Sequence, residues 1–410
     1  MENTNDFWGI ETPKTLIEQY GSPLYVYNEK ILRKRCRELK SLIDYPDFVV
    51  DYSMKANPNP ALLKILHEEG VEIDVVSAGE IYIAELAGFT PEELFFVCNN
   101  ICAEEMKYAL DKGIRISVDS LSQLEQFGKI SPHSKVAIRV NPGVGAGHHS
   151  KVITAGKATK FGINSNMVKE IKEICDKYNL TISGINQHIG SLFLKDENFL
   201  ESIHLLFDFC RNFADLDFID FGGGFGIPYR AGEDRLDLKS LGKTLNNYIQ
   251  QFISDYGKKI QIRIEPGRYI VAETCSLLGT VFSKKENNSI QYIGTDLGFN
   301  VLMRPILYNS YHEINVYRNG IEVSGSEKED VTIVGNICES GDILAHNRTL
   351  PQLHLSDTIC VRDTGAYGQS MSSNYNSRLR PAEVMITSTG NSKLIRKRDS
   401  FENLVENYVL

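Results

Sequence analysis

The stretch FVVDYSMKANPNPALLKILHEEGVEIDVVSAGE, from Phe48 to Glu80, contains one complete repeat of the pattern that decides the fold. It opens on a short β-branched and aromatic run around Val49. It continues through Ala61–Glu69, where apolar residues recur three and four apart, and ends on a second short run around Ile73. This succession is typical of two parallel strands joined by a helix. The stretch therefore predicts one βα repeat of a parallel sheet.

The same alternation continues outward from this stretch to about Glu265. Eight strand-like runs lie near Val49, Ile73, Phe95, Ile116, Ile138, Ile185, Ile219 and Ile262. The helical segments between them include Ala61–Glu69, Ala103–Lys112, Met167–Tyr178 and Phe199–Phe213. Eight strands close a TIM (β/α)8 barrel, and we predict this α/β fold for residues 30–265.

After Pro266 the pattern changes. Strand-like runs follow one another across Gly, Asn and Asp turns, without comparable helices between them. These runs are SLLGTVF, IQYIGTD, VTIVG, TICVRD and AEVMI. We therefore predict a second, mostly antiparallel β domain made of residues 1–29 and 266–410.

Composition and charge indicate which kinds of molecule the protein is expected to bind. The chain has 410 residues and a formal net charge of -9, which argues against a surface that binds nucleic acid. No apolar run is long enough to span a bilayer, and the first residues do not form a basic-then-apolar leader. We expect a cytoplasmic protein that binds a small molecule and neither nucleic acid nor membrane.

Eight cysteines are scattered along the chain, and without a secretion signal we expect them to be reduced thiols. Cys98 and Cys102 have a spacing seen in metal sites, but no second Cys or His pair accompanies them. We expect these two cysteines to be packing residues, and no metal site.

Polar residues and glycines stand at or just after the ends of the predicted barrel strands, where TIM barrels carry their reactive groups. In chain order they are Lys55, Asp74, Asn99, His188, Gly222, Gly223, Gly224 and Glu265. Because all the carboxyl ends of the strands open at one mouth, these residues are expected to face one site.

Four of these features together favour one cofactor chemistry. An isolated run of three glycines is usually a tight turn, but Gly222–Gly224 follow the seventh strand, where barrels commonly hold phosphate. A lone lysine is usually a solvated charge, whereas Lys55 at an apolar strand end is expected to have a lowered pKa and to bond an aldehyde. Glu265 is placed to pair with a protonated pyridine nitrogen, and His188, otherwise readable as a packed core histidine, has a ring suited to stack on it.

Several longer motifs carry a resemblance to a known family. They are YSMKAN, DVVSAGE, KFGI, HIGS, GGGFGIP, EPGRYIVA, RPILY, CESGD and GAYGQSMSSNYNSRLRPAEV. In this order, from about Tyr25 to Ile386, they resemble the fold-type III pyridoxal-phosphate decarboxylases, and among these the diaminopimelate decarboxylases. The resemblance implies a carboxy-lyase of lysine biosynthesis that uses pyridoxal 5'-phosphate to convert meso-diaminopimelate to L-lysine and carbon dioxide.

The resemblance also implies roles for individual residues. The catalytic residues would be Lys55, His188 and Cys338. The cofactor would be held by Lys55, Asp74, His188, Ser191, Gly223, Gly224, Glu265 and Tyr367. The substrate would be held by Arg268, Arg304, Tyr308, Glu339 and Tyr367. Lys55 would bond the cofactor covalently, Cys338 would donate a proton, and the arginines with Tyr308 would hold the distal carboxylate of the substrate.

The family builds its active sites at a dimer interface, which implies a homodimer with shared active sites. One subunit would supply the barrel mouth, and the other would supply the loop that carries Cys338 and Glu339. The alternative for Cys338 is a buried structural thiol, but CESGD lies between two predicted strands and is polar, which favours an exposed loop.

Three positions near the substrate differ from the usual pattern of the diaminopimelate decarboxylases. Leu192 directly follows the HIGS motif, Ile101 follows two asparagines, and Phe299 lies in the segment before Arg304. A decarboxylase of a D-amino acid, ornithine or lysine therefore stays open as an alternative. An amino-acid racemase or a non-catalytic pyridoxal-phosphate-binding protein ranks lower, because Lys55 and the CESGD loop are both present.

Overall fold

The computed structural model describes residues 7–143, 146–147, 159–325 and 327–409, which form two compact units. The first comprises Arg33–Pro228 and Asp234–Ile270. The second comprises the residues up to Leu32, the short segment Tyr229–Glu233, and the chain from Val271 onward. The pattern change after Pro266 lies close to the division between Ile270 and Val271. No sequence pattern indicates that Tyr229–Glu233 groups with the second unit.

The first unit contains a closed barrel of eight parallel strands, as predicted. In chain order, barrel strands 1 to 8 are Phe48–Ser53, Glu72–Val75, Leu94–Val97, Arg115–Val118, Lys135–Asn141, Thr181–Asn186, Phe218–Asp220 and Gln261–Ile264. Neighbours in space follow this order around the ring. The ring closes between strands 4 and 5, where Ser117 pairs with Ala137.

Helices alternate with these strands. They are Glu29–Lys40, Pro60–Glu68, Ala78–Ala87, Ala103–Asp111, Leu121–Ile130, Val168–Tyr178, Glu197–Cys210 and Leu238–Tyr256. Side chains that accept hydrogen bonds from the first turn begin four of them: Asn59, Ser77, Ser120 and Asp237. The four helices expected from the apolar spacing are all present, with ends that differ by up to three residues.

Backbone hydrogen bonds tie together the carboxyl ends of four barrel strands. The Ser53 amide after strand 1 donates to the Pro266 carbonyl at 3.1 Å. The Glu265 amide donates to the Gly222 carbonyl at 3.0 Å, and the Gln187 amide donates to the Asp220 carbonyl at 3.2 Å. The ends of strands 1, 8, 7 and 6 are thus fixed relative to one another, which fixes the side chains that follow them.

The second unit is built on a mostly antiparallel sheet of ten strands, as predicted. The strands are Leu24–Asn28, Cys275–Asn287, Ile290–Thr295, Ile314–Arg318, Ile321–Glu322, Lys328–Val334, Ile343–Pro351, Thr358–Val361, Ala382–Ile386 and Ser392–Arg396. Leu24–Asn28 runs antiparallel to Cys275–Asn287 and parallel to Ala382–Ile386. Each of the five runs that the sequence singled out overlaps one of these strands, and three of them extend one or two residues past its end.

All eight cysteines are free thiols. Cys98 is buried and its thiol donates to the Ser117 carbonyl at 3.2 Å, as expected for a packing residue, whereas Cys102 is exposed. Within the described part of the chain, no helix combines the length and the apolar character that crossing a membrane requires.

Candidate active site

Lys55 lies in the short 3-10 helix Met54–Ala56, directly after barrel strand 1. Its Nζ is 3.5 Å from Oδ2 of Asp74, which lies near the end of strand 2 and is buried. The Ser53 hydroxyl donates to the same Asp74 oxygen at 2.8 Å. Burial raises the pKa of Asp74, and the Lys55 ammonium opposes that rise. The first two strand ends therefore bring an amine and a carboxyl together, as the sequence predicted.

His188 follows strand 6 and is half-buried. The Gly223 amide donates to its Nδ1 at 3.1 Å, so Nδ1 is unprotonated and the neutral ring carries its proton on Nε2. Burial lowers the pKa of His188 well below its ordinary value, and the positive charges of Lys55 and Arg139 lower it further. The ring is therefore neutral and fixed in direction.

The glycine loop after strand 7 is packed too closely to hold side chains. A Cβ on Gly223 would lie 1.9 Å from the Glu265 carbonyl oxygen, and one on Gly224 would lie 2.6 Å from the Gly190 carbonyl oxygen. Gly224 also has a φ of +106°, in the left-handed region that favours glycine. Such a bare backbone lets a ligand approach closely. The Gly223 amide already serves His188, so phosphate contacts by Gly223 and Gly224 remain predictions.

Glu265 follows strand 8, and Asp220 ends the neighbouring strand 7; both are buried. Among the described residues, no N–H or hydroxyl donor reaches Oε1 of Glu265 or Oδ2 of Asp220. Burial raises the pKa of Glu265 well above its ordinary value, and repulsion by Asp220 and Asp74 raises it further. A buried carboxyl with a raised pKa carries its negative charge at a cost unless a cation or a proton donor lies beside it. A pyridine nitrogen, which accepts or shares a proton, fits beside such a group.

Ser191 and Arg268 are direct neighbours in the barrel unit. Nη2 and Nε of Arg268 donate to the Ser191 hydroxyl oxygen at 3.0 and 3.3 Å. Both bonds use the hydroxyl oxygen as acceptor, so neither uses the hydroxyl proton. The sequence assigned Ser191 to the phosphate and Arg268 to the substrate carboxylate. Their contact means that these two anionic groups would be bound side by side.

In the second unit, the loop with Cys338 and Glu339 lies between two strands and both residues are exposed, as expected. The Cys338 amide donates to Oδ1 of Asn376 at 3.0 Å. The Tyr375 hydroxyl donates to Oε1 of Glu339 at 2.6 Å. The SNYN segment therefore orients this loop.

The base of the same loop is held by Asp342, which is buried. Its Oδ1 accepts from the Phe299 amide and its Oδ2 from the Ile337 amide, both at 2.7 Å. The Phe299 ring stacks on Tyr375 with 5.6 Å between ring centres. Phe299, one of the positions that departs from the usual motif, thus supports the tyrosine that binds Glu339.

Arg304 begins the helix Arg304–Tyr308 and is only 1% exposed, so it does not form a surface ion pair. Its Nη1 donates to the Tyr229 hydroxyl at 3.1 Å and to Nε2 of His312 at 2.8 Å. Tyr308, at the end of this helix, is half-buried, as is Tyr367, which has a φ of +57°. The second unit thus contains Arg304, Tyr308, Cys338, Glu339 and Tyr367.

The barrel unit brings together the other predicted residues at its strand ends. They are Lys55, Asp74, His188, Ser191, Gly223, Gly224, Glu265 and Arg268. The sequence did not single out Asp220, His312 or Tyr229. Asp220 stands directly before Phe221 and the three glycines, so its place at a strand end was a usable signal. Nothing in the local sequence marks Tyr229 or His312 as partners of Arg304.

Comparisons with known proteins agree with this geometry. The family described as pyridoxal-dependent decarboxylase, pyridoxal binding domain, matches residues 29–272. A diaminopimelate decarboxylase of Methanothermobacter thermautotrophicus is 41% identical over 95% of this chain and 92% of its own.

Solved structures show the same likeness. A crystal structure of diaminopimelate decarboxylase superposes with a TM-score of 0.89 at 33% identity, covering 98% of both chains. A diaminopimelate decarboxylase from Helicobacter pylori complexed with L-lysine has a TM-score of 0.87 at 30% identity, covering 96% of this chain and 98% of its own.

Proposed function

Because this chain belongs to the pyridoxal-dependent decarboxylase family, we propose that it removes one carboxyl group of meso-diaminopimelate to give L-lysine and carbon dioxide. The chain is a carboxy-lyase and its cofactor is pyridoxal phosphate. The observation that carries the proposal is the set of groups at the barrel strand ends. An amine, a neutral imidazole, a buried carboxyl and a bare glycine loop are the partners that this cofactor requires.

The barrel residues have separate tasks in this proposal. When bound, pyridoxal phosphate supplies the electron sink that makes loss of carbon dioxide possible. Lys55 would hold the cofactor aldehyde, and the neutral His188 ring would lie against the pyridine ring. Glu265 would pair with a protonated pyridine nitrogen, because burial disfavours the charged form of this carboxyl unless a cation lies beside it.

The substrate residues follow from the chemistry of diaminopimelate. Its distal carboxylate suits the planar fork of an arginine, and we assign it to Arg268 and Arg304 with Tyr308. Glu339 would meet the distal amine. Cys338 would donate its thiol proton to the carbon from which the carboxyl leaves, so that a C–H bond replaces the broken C–C bond.

We also propose that the enzyme is a homodimer with shared active sites and that it works in the cytoplasm. Exposure of Cys338 and Glu339 on a polar loop supports the first point, because a loop that serves a partner must be accessible on its own subunit. The free state of all eight cysteines supports the second, because thiols persist in a reducing compartment.

Product identification tests the proposed reaction. Purified protein is incubated with pyridoxal phosphate and, separately, with meso-diaminopimelate, L-lysine, L-ornithine and their D-forms, and the released amines are identified. L-lysine from meso-diaminopimelate as the preferred reaction is the expected result. Preferred formation of cadaverine or putrescine would replace the proposal with a lysine or ornithine decarboxylase. The Lys55→Ala protein is the control, since any amine released in its presence comes from reaction with free pyridoxal phosphate.

A further inference from the structure

Arg304 lies in a buried cluster of the second unit that includes two residues with no assigned role, Tyr229 and His312. Tyr229 is 6% exposed and His312 is 4% exposed. The guanidinium carbon of Arg304 lies 4.8 Å from the centre of the Tyr229 ring, and the Tyr229 and His312 rings meet edge to face at 5.3 Å. The arginine is therefore enclosed by two aromatic rings.

The hydrogen bonds of His312 determine where its proton is. Nδ1 lies 2.8 Å from the Arg362 carbonyl oxygen, which can only accept, so Nδ1 carries the proton. Nε2 lies 2.8 Å from Nη1 of Arg304, which can only donate, so Nε2 presents its lone pair. His312 is thus a neutral imidazole that links a fixed backbone carbonyl to the arginine.

The backbone of His312 is held as well. Nη2 of Arg348 donates to the His312 carbonyl at 2.8 Å. The two hydrogens on Nη1 of Arg304 have two acceptors, Nε2 of His312 and the Tyr229 hydroxyl. Because both directions at Nη1 are set, the plane of the guanidinium is set too.

We propose that His312 is a positioning residue that, with Tyr229, fixes the Arg304 guanidinium plane for recognition of the substrate's distal carboxylate. This inference rests on the proposed function of Arg304. A carboxylate binds an arginine through two parallel hydrogen bonds only when the two planes match, so an arginine free to turn would discriminate less well. His312 and Tyr229 act through Arg304 and need no contact with the substrate.

The test compares two ligands that differ in one carboxylate, L-lysine and cadaverine, as inhibitors of the holoenzyme. Wild-type protein is expected to prefer L-lysine. His312→Asn keeps a donor for the Arg362 carbonyl but is too short to reach Nη1, whereas His312→Gln reaches the position of Nε2 with its amide oxygen. We expect His312→Asn to lose roughly tenfold of the preference for L-lysine and His312→Gln to restore most of it.

Tyr229→Phe provides a second variant, because it removes only the hydroxyl acceptor. It should shift the same preference in the same direction by a smaller factor, with the absorbance of the bound cofactor unchanged. Should His312→Asn fail to fold, the shift in Tyr229→Phe decides the matter. An unchanged preference in Tyr229→Phe, or equal weakening of both ligands in His312→Asn, would overturn the proposal.

Arg304→Leu separates this inference from the function on which it rests. If Arg304→Leu retains the wild-type preference for L-lysine, the assignment of Arg304 to the distal carboxylate fails. If Arg304→Leu loses the preference while His312→Asn and Tyr229→Phe retain it, Arg304 binds the carboxylate and His312 does not position it.

Discussion

Asp220 and Glu265 follow one another around the barrel, at the ends of strands 7 and 8, and are two buried carboxyls, of which Asp220 raises the pKa of Glu265. The pair stands beside the glycine loop, since Oδ1 of Asp220 accepts from the Gly222 amide at 2.8 Å. Asp220 therefore raises the pKa of Glu265 and also braces the loop expected to lie near the cofactor phosphate.

Asp220→Asn should change how stability depends on pH in the cofactor-free protein. The pKa of Glu265 is higher in the folded protein than in the unfolded chain. The contribution of Glu265 to folding stability is therefore fully present at low pH and is lost as pH rises through the raised pKa. Because the Asp220 charge raises the pKa of Glu265, removing that charge lessens the loss of stability at high pH. The melting temperature of Asp220→Asn relative to wild type should therefore rise between pH 5 and 9.

The control for this comparison is Asp208→Asn, which removes an exposed carboxylate near Arg211. Its melting temperature relative to wild type should vary little over the same range. A difference between Asp220→Asn and wild type that stays constant with pH would contradict the electrostatic coupling of the two carboxyls.

Lys55→Ala should remove the covalent attachment of the cofactor. Reduction with borohydride fixes a covalent adduct of pyridoxal phosphate in the wild-type protein, and the variant should contain none, because no other lysine is proposed to reach the aldehyde. The measurement is the mass of the reduced protein, together with the cofactor absorbance band. Lys64→Ala, on the exposed face of the next helix, should retain the adduct. An adduct in Lys55→Ala would disprove the assignment.

Shared active sites predict complementation between two inactive chains. Lys55→Ala and Cys338→Ala homodimers should each be inactive, whereas a mixed dimer would contain one sound site. After unfolding and joint refolding in equal amounts, roughly a quarter of the wild-type activity should return, since half of the dimers are mixed. Differently tagged chains show that mixed dimers form. Mixed dimers without activity would argue against sharing.

Arg304→Leu should weaken the reaction with meso-diaminopimelate selectively. Loss of a charge-assisted contact with the distal carboxylate is expected to cost on the order of 2–5 kcal/mol in kcat/KM. L-lysine and L-ornithine, which as substrates lack a distal carboxylate, should lose much less. The kcat/KM values of all three substrates are compared in both proteins. Equal losses would mean that Arg304 supports only the fold.

The sequence predicted the barrel well because each repeat is local. A buried parallel strand reads as a short apolar run, and its end is marked by a polar residue such as Lys55 or Glu265. The eight strand positions and the residues at their ends could therefore be found one repeat at a time.

Relationships between distant segments were not predictable in this way. His312 and Tyr229 are separated by more than 80 positions and meet at Arg304 only through the folded second unit. The contact of Arg268 with Ser191 joins two distant segments that the sequence assigned to different ligands. The raised pKa of Glu265 depends on burial and on a carboxyl of the neighbouring strand, which a linear pattern does not reveal.

Leu24–Asn28 pairs with Cys275–Asn287 and Ala382–Ile386, which are both synthesised much later. This pairing determines the order in which the strands can assemble during translation. Every strand of the barrel has been made before either neighbour of Leu24–Asn28 is complete. That first strand must wait for more than 350 residues until Ala382–Ile386 is made, on the order of 20 to 70 s at ordinary rates of translation. The nascent chain therefore contains every barrel strand while Leu24–Asn28 still lacks a hydrogen-bonded neighbour on both edges. That strand is where a nascent-chain chaperone would be needed.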